Sequence, residues 1–100
     1  MGILSRRKGV GFEREVVNFL QGQGLTAERV PLSGQLPGYK GDVSCPVRGI
    51  DRRFELKRRA RGYKNLYVAL GEAYGLIVRD DSSEALVVMR LSSFAALALK

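Results

Sequence analysis

Apolar residues recur at helical spacing over residues 8–22, where Phe12, Val16, Val17, Phe19 and Leu20 form a stripe that predicts an amphipathic helix. Gly22 and Gly24 follow it, and residues 25–30 then read as a short strand. Pro31, Ser33, Gly34, Pro37 and Gly38 make the next stretch too rich in turn formers to pair in a sheet. Two apolar runs flanking Arg48-Gly49 predict a hairpin with a two-residue turn. Residues 62–74 predict a second helix with Tyr63, Leu66, Tyr67, Leu70 and Tyr74 on its inward face, the tyrosines assigned to packing rather than to base stacking. Residues 75–79 and 85–91 are apolar strands joined by Asp80-Asp81-Ser82-Ser83-Glu84, a solvated turn rather than a second metal site. A final short helix follows Ser92 or Ser93 as N-cap, with Phe94 and Leu97 facing inward. The order αβββαββα, without repeats or a linker, predicts one α/β domain over residues 1–100.

The hairpin brings chemistry together. If Val47-Arg48-Gly49-Ile50 closes it, paired positions sum to 97 and Asp42 falls opposite Glu55 in the Phe54-Glu55-Leu56-Lys57 run. On a strand Glu55 and Lys57 share one face, while Phe54 and Leu56 share the other with Val43. Val47 and Ile50 pair on that apolar face too. Two carboxylates and an ammonium then converge, and two like charges so close call for a cation between them. The register points to a metal.

The first helix offers a third carboxylate. At about 100° per residue its apolar stripe centres near 40° from Phe12, which places Glu13 roughly 60°, Glu15 about 100° and Arg14 about 160° from that centre. Glu13 is thus the acidic residue turned most toward the core. An unpaired buried ion costs several kcal/mol, so Glu13 requires a partner, which a metal or Lys57 would provide; the plainer alternative is a glutamate snorkelling from the rim of the stripe.

Composition narrows the remaining options. The chain has no histidine, which removes the commonest general base, and its lone Cys45 excludes an internal disulfide and a Cys/His zinc site. Catalysis must rest on carboxylates, lysine, tyrosine or a metal. The absence of a long apolar run or signal-peptide pattern predicts a soluble cytoplasmic protein without membrane contact. The net charge of +7 is uneven: residues 1–65 hold fourteen Lys/Arg against six Asp/Glu, a balance of +8, and residues 66–100 hold three against four, a balance of −1. Basic residues at Arg6-Arg7-Lys8, Arg52-Arg53 and Lys57-Arg58-Arg59, with Arg61 and Lys64, bracket the carboxylates in sequence. A polyanionic substrate fits this pattern better than a merely solvated face, and nucleic acid is the first expectation.

Lys8-Gly9, Glu13-Arg14-Glu15, Arg29 with Ser33-Gly34, Gly41-Asp42-Val43 and Glu55-Leu56-Lys57, in that order, resemble the archaeal and phage-type Holliday junction resolvases of the PD-(D/E)xK nuclease superfamily. The resemblance covers roughly the first 65 residues. One departure is Gly41, where the wider superfamily often has proline before the aspartate. The resemblance implies a restriction-endonuclease-like α/β core with a central mixed β-sheet flanked by helices. It implies that Glu13, Asp42, Glu55 and the Leu56 carbonyl hold Mg²⁺, for which Mn²⁺ may substitute, with Lys57 positioning the attacking water or neutralising the transition state. Arg14 and Arg29 take phosphate contacts, and Ser33 matches a loop serine near the scissile phosphate. Lys40 and the basic residues Arg6, Arg7, Lys8, Arg58, Arg59, Arg61 and Lys64 complete the expected DNA-binding set. The expected protein is a homodimeric, metal-dependent endonuclease resolving four-way junctions in a bacterial or archaeal cell, possibly phage-encoded. The alternatives are a nuclease of the same fold for other branched or duplex DNA, and a non-catalytic nucleic-acid-binding module. A pure binder, however, gains nothing from Asp42 and Glu55 within a basic surface.

Overall fold

The computed structural model describes residues 2–30 and 41–100, with side chains from residue 10 onward. The elements follow the expected order: α1 (Gly2–Gly22), β1 (Glu28–Arg29), β2 (Val43–Val47), β3 (Ile50–Phe54), α2 (Lys64–Leu70), β4 (Leu76–Val78), β5 (Leu86–Val88) and α3 (Leu91–Leu99). They fall into two compact units, residues 1–58 with 95–100, and residues 59–94. α3 begins in the second and ends in the first.

In the first unit β2 is the central strand of a three-stranded antiparallel sheet, order β1-β2-β3. Central placement explains why Val43 and Cys45 are fully buried and Ser44 nearly so. Arg48 and Gly49 take positive φ, 53° and 86°, so the turn is of type I′. An arginine there costs about 1–2 kcal/mol, and its amide donates to the Ala98 carbonyl at 2.9 Å. The pairs run from Val47 with Ile50 to Val43 with Phe54, in the expected register. Ile50 is 56% exposed, however, so the apolar face is sealed only at the Val43 end. β1 is far shorter than the six residues expected. Leu25, Ala27 and Val30 are still buried, with Gln21 donating through Nε2 to the Ala27 carbonyl at 2.9 Å.

α1 starts earlier than residue 8, and its buried face is rotated from the expected one. Glu13, Val16, Val17 and Leu20 are buried, whereas Phe19 is exposed. Those four positions centre about 90° from Phe12 rather than 40°. Ala95 and Ala98 carry the buried side of α3, in place of Phe94 and Leu97. Small residues let a helix approach its neighbours closely, which a stripe of large residues obscures in sequence.

In the second unit α2 stops at Leu70, four residues short of expectation, because Gly71 turns with φ 51° and returns its amide to the Tyr67 carbonyl. Arg90 braces this end, donating from Nη1 to the Ala73 carbonyl at 3.1 Å and from Nη2 to that of Gly71. Leu70 is buried, but Tyr67 and Tyr74 are largely exposed and do not pack as expected. β4 and β5 pair antiparallel, and Ser82 at φ 67° turns the solvated connection between them. The strands described are thus two antiparallel sheets instead of one mixed sheet: β4 and β5 are three residues each and use their ladder on one another. No described helix is long and apolar enough to cross a membrane.

Candidate active site

The open end of the β2–β3 hairpin carries the site. Val43 faces Phe54 in the ladder, and the Asp42 amide also donates to the Phe54 carbonyl, at 2.7 Å. Two residues on one side therefore meet one on the other, the arrangement of a β-bulge. Asp42 is displaced by one position from the direct opposition to Glu55 that alternation predicts. Gly41 is the cause. Its φ of +88° is one that residues with a side chain rarely adopt, and a Cβ there would lie 3.1 Å from the Arg53 Cβ and 3.2 Å from the Phe54 backbone. Proline, fixed near −65°, cannot take this turn, which accounts for glycine at the position before the aspartate.

The bulge aims Asp42 at the second half of the motif. Its Oδ2 accepts a hydrogen bond from the Leu56 amide at 2.8 Å, a charge-assisted contact across fourteen positions. β3 ends at Phe54, so Glu55, Leu56 and Lys57 lie just past the ladder rather than on the strand expected. Alternation nevertheless continues: Phe54 and Leu56 are half-buried, Glu55 and Lys57 exposed. The Asp42–Leu56 bond thus takes over where the ladder stops.

Glu13 lies near the middle of the buried face of α1, while Glu15 and Arg14 are exposed, as the helix phase predicts. Among the described residues its partner is Arg29 rather than Lys57. Arg29 Nε donates to Glu13 Oε1 at 3.0 Å, with the glutamate side chain 12% exposed and the arginine 41%. A residue expected on phosphate therefore serves, in this state, as the counter-ion of a buried carboxylate. Among the described residues, no three Asp, Glu or Cys side chains gather as a ready-made metal cluster. The donors fit a hard divalent cation by chemistry: Asp42 is anchored by Leu56, Glu55 faces solvent, and both supply carboxylate oxygens.

The sequence matches the archaeal Holliday junction resolvase (hjc) family over residues 4–95. The chain belongs to that family. No curated protein and no solved structure matches it significantly. Membership makes the chain a nuclease of the junction-resolving class, and the small α/β order αβββαββα agrees with a restriction-endonuclease-like fold. The match runs well beyond residue 65, into β5 and α3, where the residues themselves carry no recognisable motif.

Of the basic residues expected on DNA in this Hjc-family chain, Arg58 is exposed in the first unit, and Arg59, Arg61 and Lys64 are exposed in the second. The side chains of Arg6, Arg7 and Lys8, and all of Ser33 and Lys40, lie outside the described residues. Cys45 is buried on β2, where burial and then the nearby Asp51 charge push its thiol pKa up. It is a packing residue, not a nucleophile. Sequence reasoning missed two contributors, the Leu56 amide and the Arg29–Glu13 pair. The Gly41-Asp42 step could have signalled the first; the second joins positions sixteen apart without a periodic pattern.

Proposed function

We propose that the chain is a Mg²⁺-dependent endonuclease that resolves four-way DNA junctions by paired, symmetric phosphodiester cleavage as a homodimer. The Asp42–Leu56 hydrogen bond carries this reading, because it ties the two halves of the motif into one site. Asp42, Glu55 and the Leu56 carbonyl are the proposed ligands, with Glu13 joining them once Arg29 is drawn to phosphate. Bound Mg²⁺ would supply Lewis-acid stabilisation and lower the pKa of a water, and Mn²⁺ would do the same. Lys57, exposed beside Glu55, positions that water or neutralises charge on the phosphate. Arg14, Arg29 and Arg58 hold flanking phosphates, which orients the DNA without reading its sequence.

Two symmetric nicks require two sites related by a dyad, and each chain supplies one candidate site. The exposed apolar residues of the unit of residues 59–94 support pairing with a second copy. Tyr67, Val68, Ile77, Leu86 and Val87 are exposed there, and a groove of about 250 Å³ is lined by Tyr63, Leu66, Tyr67, Leu70 and Val88. Such an apolar surface serves association better than phosphate binding. Incubation with a four-way junction, a matched duplex and single-stranded DNA, with and without Mg²⁺, tests the proposal. Paired incision of the junction only with Mg²⁺ supports it, whereas equal cleavage of duplex favours a general nuclease of the same fold.

A further inference from the structure

Among the exposed cations, Arg59 is held differently from a point charge on a flexible stem. Its guanidinium carbon lies 5.2 Å from the centroid of the Tyr63 ring. Gly62, between them, turns with φ +125°, and a Cβ at that position would lie 3.3 Å from the Arg59 Cδ and 3.4 Å from its Nη1. Any other residue there would be strained and would press on the arginine. The Arg59 side chain thus runs past Gly62 to the Tyr63 ring, with Arg59 exposed and Tyr63 half-buried. All three residues belong to the same compact unit.

A charge needed only to neutralise phosphate gains nothing from this arrangement; lysine on an open loop would serve as well. A planar guanidinium held near an aromatic ring instead offers a flat face suited to stacking as well as a charge. Base faces are hidden by their neighbours within linear duplex, whereas in an open four-way junction the stack is interrupted at the branch point and a base face is accessible. On the reading that the chain acts on junctions, we propose that Arg59 is a specificity-determining residue that stacks on a base exposed at the branch point, with Gly62 and Tyr63 as its positioning residues.

Arg59→Lys keeps the charge and removes the plane, so it separates stacking from neutralisation. Tyr63→Leu removes the backing ring, and Tyr63→Phe retains it. Affinities for a junction and for its matched duplex would be titrated at several salt concentrations, with 2-aminopurine at the branch point reporting base stacking. The wild type should prefer the junction and change the 2-aminopurine emission. Arg59→Lys should leave the salt slope unchanged, lose the emission change and lower the junction-to-duplex ratio about fivefold or more, as expected for one lost stack. Tyr63→Leu should follow it, and Tyr63→Phe should match the wild type. An Arg59→Lys protein with full preference and full emission change overturns the inference while leaving the junction reading intact. A wild type with no junction preference overturns that reading and this inference with it.

Discussion

Replacing Arg29 by methionine should destabilise the protein far more than replacing Glu13 by glutamine. Arg29→Met leaves the Glu13 carboxylate, 12% exposed, without its cation. Breaking a fully buried pair from one side costs about 3–5 kcal/mol. Here the arginine is 41% exposed, so water already reaches the pair; about 1–2 kcal/mol is the scaled expectation. For a domain of this size that is a melting-point loss of roughly 5–15 °C. Glu13→Gln instead keeps an acceptor for the Arg29 Nε and leaves the arginine partly hydrated, so it should cost under about 1 kcal/mol. On the Glu13→Gln background, Arg29→Met should then keep at most about half of its effect, a coupling of about 1 kcal/mol. Urea unfolding of the four proteins measures this cycle. Additive losses, or an Arg29→Met protein within about 0.5 kcal/mol of wild type, would refute the counter-ion assignment.

Three further outcomes follow from the same geometry. Gly41→Ala should cost about 1–2 kcal/mol for the left-handed backbone alone, and it should lower junction cleavage more than tenfold as Asp42 moves off the Leu56 amide; single-turnover assays alongside thermal melts read both, with unchanged cleavage as the contrary result. Glu13→Gln should lose most of the activity and Glu15→Gln should keep a large part, because only Glu13 faces the buried side of α1; the reverse ranking in matched turnover assays would put the helix phase in error. Cys45, buried and with its pKa raised, holds less thiolate at any given pH than a free thiol. Alkylation of native protein near neutral pH should therefore be slow and should accelerate on raising the pH or adding denaturant, and rapid native labelling followed by mass spectrometry would contradict this.

Much of the architecture was legible because it rests on periodic signals. Alternation around Val43 and Phe54, with Arg48-Gly49 between them, specifies the hairpin register, since a slip of one residue would turn Val43 outward. Glu13 reads as inward-facing even though the expected phase of α1 differs from the observed one by about 50°, because Phe19 belongs to the apolar stripe without being buried. The same ambiguity affects Tyr67, Tyr74 and Leu97, which share apolar spacing with buried residues and yet are exposed. The bulge at Asp42 depends on a single backbone angle at Gly41, and a glycine in sequence does not disclose which conformation it takes. The end of α2 at Gly71 was readable in principle, since glycine commonly closes a helix in this way.

The central claim is that Asp42 and the Glu55-Leu56-Lys57 segment form one metal-dependent centre that cuts junctions in pairs. Its most direct test is cleavage of an end-labelled four-way junction by wild type and Asp42→Ala, in Mg²⁺ and in EDTA, with junction affinity measured on the same samples. Wild type with Mg²⁺ should nick two opposing strands symmetrically, and wild type in EDTA should bind without cutting. Asp42→Ala should bind at similar or slightly higher affinity, having lost a negative charge beside the phosphates, and should not cut under either condition. Cleavage by Asp42→Ala, or equal cleavage in Mg²⁺ and EDTA, would contradict the account.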